Sequence, residues 1–298
     1  MKPSLIFSQY IWLVNTLRQF GRLTLEELNN KWIRDEVANG NPLSRSTFNR
    51  HKDAVLDMFG VIIECDIKNG YRYYIDNPEV LEDDSIERWM LNSLTVGSIL
   101  ADCQSIHDRI LLENVPAGEE HLQILIKAIK SSNKVKINYA RFGHSDYYIV
   151  IAPYALKLWH QRWYLLSSDG NHLIIYALDR MREVIILEET FKLPEGFSPA
   201  EFFNEFYGVL TDSSIPLQHI RFRTYGYTTN YIRTLPLHHS QKEVETTDNY
   251  TDFTLEIRPT YDFIGAIGAH GDGIEVLEPS SVRNEVIEWH KKSWERFK

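Results

Sequence analysis

Residues 44–75, "SRSTFNRHKDAVLDMFGVIIECDIKNGYRYYI", change their period midway. Up to Phe59 the apolar residues Phe48, Val55, Leu56 and Phe59, with the alkyl stem of Lys52, recur at helical spacing, and Ser44 stands where an N-cap belongs. After Gly60 the chain becomes β-branched and aromatic, and "KNG" joins "VIIECDI" to "YRYYI" as a hairpin. A helix running straight into such a hairpin predicts the second half of a winged helix-turn-helix.

The residues upstream supply the first half. Ile6, Tyr10, Leu13, Val14, Leu17 and Phe20 follow helical spacing up to Gly21, and Thr24 with Glu27 forms a capping box that opens a second helix running to "ANGNP". In this arrangement, predicted over 1–77, the third helix enters the major groove of double-stranded DNA with its N-terminal turns. Those turns display Arg45, Ser46, Thr47, Asn49, Arg50 and Lys52, while Lys68 and Arg72 belong to the wing. All can donate to phosphates or base edges.

Charge agrees with that placement. The chain of 298 residues has a formal net charge of -9, which argues against indiscriminate binding to nucleic acid. Residues 1–77, however, hold ten Lys/Arg against nine Asp/Glu, and 41–52 carry three cations and no acid. The competing reading, a merely solvated helix face, does not account for the helix order, the wing and the missing acids together.

Length predicts two or three compact units. No apolar run reaches the roughly 18–20 residues that cross a bilayer, and the apolar N-terminal stretch is interrupted by Ser8, Gln9 and Asn15 with no small-residue cleavage site after it. No membrane partner and a cytoplasmic location are the expectation. Cys65 and Cys103 are too far apart for a C-x-x-C pair and read as packing residues.

Residues 78–118 read as a connector. An acidic, Pro-containing stretch ends at Asp84, which with Glu87 can cap a following helix. That helix carries Ile86, Trp89, Met90, Leu94, Ile99, Leu100, Ile106, Ile110 and Leu111, with Gly97 as a weak point. Such an arm packs under the next domain or pairs with a second copy, and a homodimer would place two heads on a palindromic operator.

From Glu119 a short helix leads into five strand-like runs, "KVKINYARF", "DYYIVIAPYALKLW", "RWYLLSSD", "HLIIYALDR" and "REVIILEET", suited to a small curled antiparallel sheet. Alternation along "RWYLL" turns Trp163 and Leu165 one way and Arg162 and Tyr164 the other. One pair fills the interior; the other meets whatever binds.

The residues Pro153 and Tyr154, "RWYLLS" at 162–167 and "YALDRM" at 176–181 closely resemble the WYL domain, whose triplet is Trp163, Tyr164 and Leu165 here. The resemblance extends to the helical arm ending in "RILLENVPAG" and to a C-terminal extension in "TLPLHHSQ" (234–241), "PTYDFIGAIGAHGDGIEVLEP" (259–279) and the closing helix. The chain resembles a bacterial WYL-domain transcriptional regulator. That resemblance implies an SH3- or Sm-like β-barrel over 119–210 and a basic, aromatic surface that receives a nucleotide or single-stranded nucleic acid. It also implies a repressor, with control of phage-defence genes as a reasonable role. Carried over by position, Tyr139, Tyr154, Tyr164 and Arg180 fall on that surface, and the nearby Lys157, His160 and Arg162 join it. Arg180 has a competing use in an ion pair with Asp179 or Glu183.

Residues 211–298 alternate strands and helices in the manner of a ferredoxin-like α+β domain, so the whole is an α+β multidomain chain. His238 and His239, if in a strand, diverge and cannot form a metal pair, and the glycines of "GAIGAHGDG" read as turn formers. No P-loop, G-x-S-x-G or H-E-x-x-H occurs, so neither cofactor nor catalysis is expected. A nucleotide-acting enzyme and an adaptor that has lost DNA binding are the alternatives.

Overall fold

A computed structural model describes residues 3–81, 85–102, 108–111, 113 and 118–298. The chain divides into two compact units, Met1–Glu113 and Asn114–Lys298.

The first unit contains α1 (Pro3–Phe20), β1 (Leu23–Thr24), α2 (Leu25–Arg34), α3 (Arg45–Phe59), β2 (Ile63–Asp66), β3 (Arg72–Ile75) and α4 (Ile86–Asp102). The capping box at Thr24 and Glu27 is formed, and Ser44 caps α3 through the amide of Thr47. α3 stops at Gly60, whose φ of 62° closes the helix in the left-handed region. The three strands pair antiparallel in the order β1-β3-β2.

Several expectations are corrected here. α2 ends at Arg34, before "ANGNP", because Glu36 turns left-handed (φ 51°) immediately after the Asp35 cap. The buried stripe of α3 is Phe48, His51, Val55 and Phe59; Leu56 is 47% exposed, since the face centred on those four residues rotates away from it. Phe20 is likewise exposed at the end of α1. The hairpin loop spans 67–71, with the Asp66 carboxylate accepting from the backbone and side-chain nitrogens of Asn69.

α4 packs on α1 and α3, with Leu91 fully buried and Leu94 against the same core. Ile86 and Trp89 stay exposed, as does Leu111 beyond the helix. Ser85 accepts from the amide of Arg88 at the start of the helix. Asp84, Cys103 and Ile106 lie outside the described residues, as does much of "RILLENVPAG". Cys65 is half-buried against the core of this unit.

The second unit opens with α5 (Leu122–Ser131) and continues through β4 (Asn133–Tyr139), β5 (Tyr147–Trp159), β6 (Arg162–Ser168), β7 (Leu173–Ala177) and β8 (Met181–Thr190). Their order is β7-β6-β5-β4-β8. β5 pairs with β4 over 147–151 and with β6 over 152–159, with a bulge between Pro153 and Ala155. One long strand thus serves two halves of the sheet, a device that bends strands around a single core. That core holds Leu125 of α5 with Val135, Ile137, Tyr139, Ile151, Leu165, Tyr176, Leu178, Met181 and Val184. The expected closed barrel is not formed. β7 and β8 are the two free edges, because the chain crosses between them in a tight helical turn at Leu178–Arg180 and β8 then pairs with β4.

After α6 (Pro199–Phe203) come β9 (Gln218–Thr224), α7 (Thr228–Thr234), β10 (Lys242–Thr246), β11 (Thr251–Ile257), α8 (Tyr261–Gly268), β12 (Ile274–Glu278) and α9 (Ser280–Glu295). The strands are ordered β10-β11-β9-β12, all antiparallel neighbours. One sheet face carries Ile220, Phe222, Phe253, Leu255, Ile274 and Val276 into a core with α8 and α9. On the other face Arg221 and Arg223 clamp the fully buried carboxylate of Asp252.

Candidate functional site

The exposed N-terminal turns of α3 carry Arg45, Ser46, Asn49 and Arg50 in solvent, with Thr47 and Lys52 half-buried. Among the described residues Arg45, Arg50 and Lys52 make no ion pair, so their charge is uncancelled by contact. Beneath them His51 is 2% exposed, stacked on Trp32 and edge-on to Tyr10, with both ring nitrogens unpartnered. Burial, reinforced by the charge of Arg50, pulls its pKa down to about 4, so the ring is neutral where it sits.

The β2–β3 hairpin is less free than its sequence suggested. Lys68 stands exposed in the hairpin loop, but Arg72 donates to the Glu27 carboxylate at 3.1 Å and to the carbonyl of Arg22 at 3.0 Å. Arg22 in turn pairs with Asp66 and lies over the ring of Tyr74. Arg72 therefore ties the hairpin to the start of α2.

In the second unit the Leu178–Arg180 turn gathers four of the seven residues expected at a ligand surface. Arg180 donates from Nε to the carbonyl of Ala140 at 2.9 Å, while its own carbonyl accepts from the Ala140 amide at 2.9 Å. Its guanidinium lies 3.7 Å from the ring centroid of Phe142 and 4.9 Å from that of Tyr139. Neither Asp179 nor Glu183 pairs with it. Asp179 binds Arg162, and Glu183 accepts from the hydroxyl of Tyr148. The two Nη groups of Arg180 are without a partner among the described residues.

Arg162 is the opposite case. Its Nη2 is bound to Asp179, whose hydrogen bond raises the guanidinium pKa, while its Nε and the second Asp179 oxygen are buried without partners. A monodentate pair in a half-buried position leaves one donor and one acceptor unused. Tyr139 is buried, with its ring in the core and its hydroxyl accepting from the Ala177 amide at 3.3 Å. Burial raises the pKa of that phenol. Tyr164 is half-buried opposite Ala177 in the β6–β7 register, beside the turn.

The remaining three lie elsewhere. Lys157 donates to the carbonyl of Gly208 at 2.9 Å and sits 4.1 Å from the ring centroid of Phe203. Burial pulls its pKa down to about 8 against the opposing influence of Asp262. It fastens β5 to the segment that leads into the C-terminal domain. His160 is exposed in the β5–β6 turn, stacked on Trp159. Tyr154 stacks on Phe191 and meets Phe197 at a tilt, both of them following β8.

Phe142 was missed by reading the sequence, although an aromatic residue flanked by Arg141 and Gly143 in a polar loop was the available signal; it is 77% exposed. His238 and His239 do not diverge: they lie in a turn with ring centroids 4.0 Å apart, His238 bonded to Ser240. No cluster of three or more metal-binding side chains occurs among the described residues. Hollows of about 800 Å³ along α1 and about 560 Å³ between Tyr261 and Trp289 contain none of the expected ligand residues. No helix among the described residues is long and apolar enough to cross a membrane.

Two family models match the chain, the WYL domain over residues 120–186 and the WCX domain over 216–293. No curated protein matches it. Among solved structures it is similar to proteasome accessory factor B/C (PafBC) of Arthrobacter aurescens, at 16% identity and a TM-score of 0.36, over 94% of this chain and 45% of that one. The chain therefore spans about half the length of PafBC. It is also similar to a CRISPR Cas-related protein, at 12% identity and a TM-score of 0.40, over 99% of this chain and 85% of that one. Neither likeness bears on what the chain binds.

Proposed function

We propose, from the premise that this is a WYL-domain protein with a WCX domain behind it, that the chain is a ligand-responsive DNA-binding regulator of transcription. Its first unit is a winged helix whose third helix reads a palindromic operator through Arg45, Ser46, Thr47, Asn49 and Arg50, with Lys52 and Lys68 on the phosphates. Its WYL sheet is an open SH3-like fold, and its C-terminal strands are ferredoxin-like, each βαβ pair being split by an antiparallel strand. The protein acts as a homodimer and a repressor. The ligand is a nucleotide or single-stranded nucleic acid.

The observation that carries this reading is the state of Arg180. A half-buried guanidinium held between two aromatic rings, with two donors unspent, suits a phosphate beside a stacked base. Arg162 becomes a second phosphate donor only if it leaves Asp179. Such a ligand acts by favouring one arrangement of the two heads over another, since equal affinity for both states shifts nothing.

The test is a gel shift of the full chain on the DNA upstream of its own coding sequence, with and without a pool of nucleotides and 5′-phosphorylated single-stranded oligonucleotides. Binding that the pool alters is the expected result. No binding to the duplex, or binding indifferent to every member of the pool, overturns the reading. Sedimentation at micromolar concentration should show a dimer.

A further inference from the structure

We infer that Gly118 and His121 are the contact through which occupancy of the Arg180 site reaches the N-terminal unit, an inference that rests on Arg180 being the ligand-binding cation.

The turn Leu178–Arg180 is gripped from one side by the residues that open the second unit. Gly118 has φ +71° and lies so close that a Cβ there would overlap the amide nitrogen of Asp179 and the carbonyl carbon and Cβ of Leu178. Only glycine satisfies both the backbone angle and the approach. Three residues on, Nε2–H of the largely buried His121 donates to the carbonyl of Met181 at 2.9 Å, and the His121 amide donates back to the carbonyl of Gly118 at 3.2 Å. Gly118 and His121 thus hold the turn at both its ends, one against Leu178 and Asp179, the other against Met181.

The same turn is the meeting point of the candidate site. Asp179 holds Arg162, Arg180 projects between Phe142 and Tyr139, and Leu178 is fully buried in the sheet core. The turn links the two edge strands β7 and β8, and its backbone is tied to the sheet through the Arg180 carbonyl, which accepts from the Ala140 amide, and through Met181, in register with Tyr139. A phosphate that draws Arg180 or Arg162 toward itself pulls on the backbone of 178–181. Ala140 feels that pull from within the sheet, and Gly118 and His121 feel it where the described part of the second unit begins. Gly118 is where the chain arriving from the first unit joins the described part of the second, so a displacement of the turn moves that junction.

The inference separates coupling from binding. Three proteins are compared as full chains, the wild type, His121→Leu, which cannot donate to Met181, and His121→Gln, whose amide can. Each is measured for affinity to the phosphate-bearing pool by fluorescence anisotropy and for the pool's effect on operator affinity. The wild type is expected to show an operator shift of about 5- to 150-fold, the usual range of allosteric coupling. His121→Leu is expected to bind the pool within about twofold of wild type and to lose the shift, and His121→Gln to retain much of it. Gly118→Ala should resemble His121→Leu where it folds. A full shift in His121→Leu overturns the coupling while leaving the sensor intact, and so does loss of pool binding in that variant, which would make His121 part of the site. A wild type that binds no member of the pool removes the sensor reading and the coupling with it.

Discussion

Arg180 and Phe142 stand face to face, guanidinium against an exposed ring at 3.7 Å, and the two are joined to the sheet by the backbone of Ala140. The arrangement orients a cation in advance, so little rotamer entropy is lost when an anion arrives. Arg180→Ala should weaken binding of a phosphate-bearing single-stranded oligonucleotide by about tenfold to a hundredfold, the worth of a charge-assisted hydrogen bond with its stacking platform. Phe142→Ala should cost less. Anisotropy titration measures both, and operator binding without ligand should be unchanged.

Lys157 predicts the reverse. Its buried ammonium serves the Gly208 carbonyl and the ring of Phe203. Lys157→Ala should therefore lower the thermal stability of the second unit by about 2–4 kcal/mol, from lost packing and an unpaired carbonyl. Oligonucleotide affinity should stay where it was. A parallel loss of affinity would return Lys157 to the ligand surface.

Arg45→Ala with Arg50→Ala removes two exposed cations from α3 and no packing. Circular dichroism and melting should be unaltered. Operator affinity should collapse, and if both contact phosphates the slope of log affinity against log salt should shrink by about 2. An unchanged slope with relaxed sequence preference would assign them to base edges instead.

His51 makes the first unit sensitive to acid. Its folded pKa, near 4, lies below the ordinary histidine value of 6.5, so between those limits the unfolded chain holds more protons. Its contribution is fully present above pH 6.5 and is lost as pH falls toward 4, by at most roughly 3 kcal/mol. Urea unfolding followed by tryptophan fluorescence, with Trp32 stacked on the ring, should show the decline. His51→Phe should flatten it.

Element types were legible where period and caps agreed. The Thr24–Glu27 box, the Ser44 cap and the hairpin after Gly60 are local signals and stand as read. β10 was not legible: "KEVET" is an exposed edge strand on every residue, with no apolar alternation to betray it. Nor was the choice among basic residues. Arg162 and Arg180 look equivalent in sequence, and which one is spent depends on which of them Asp179 reaches in the folded sheet. Nothing in the sequence pattern marks His51 as buried, yet the fold sets it among aromatic rings.

The shared strand β5 makes the WYL sheet all-or-none. Because residues 147–151 and 152–159 bind different neighbours across one bulge, neither half can melt without stripping the other of its central partner. Amides at Ile137 and Leu165, far apart in the chain, should exchange with solvent at the same opening free energy, as members of one cooperative block.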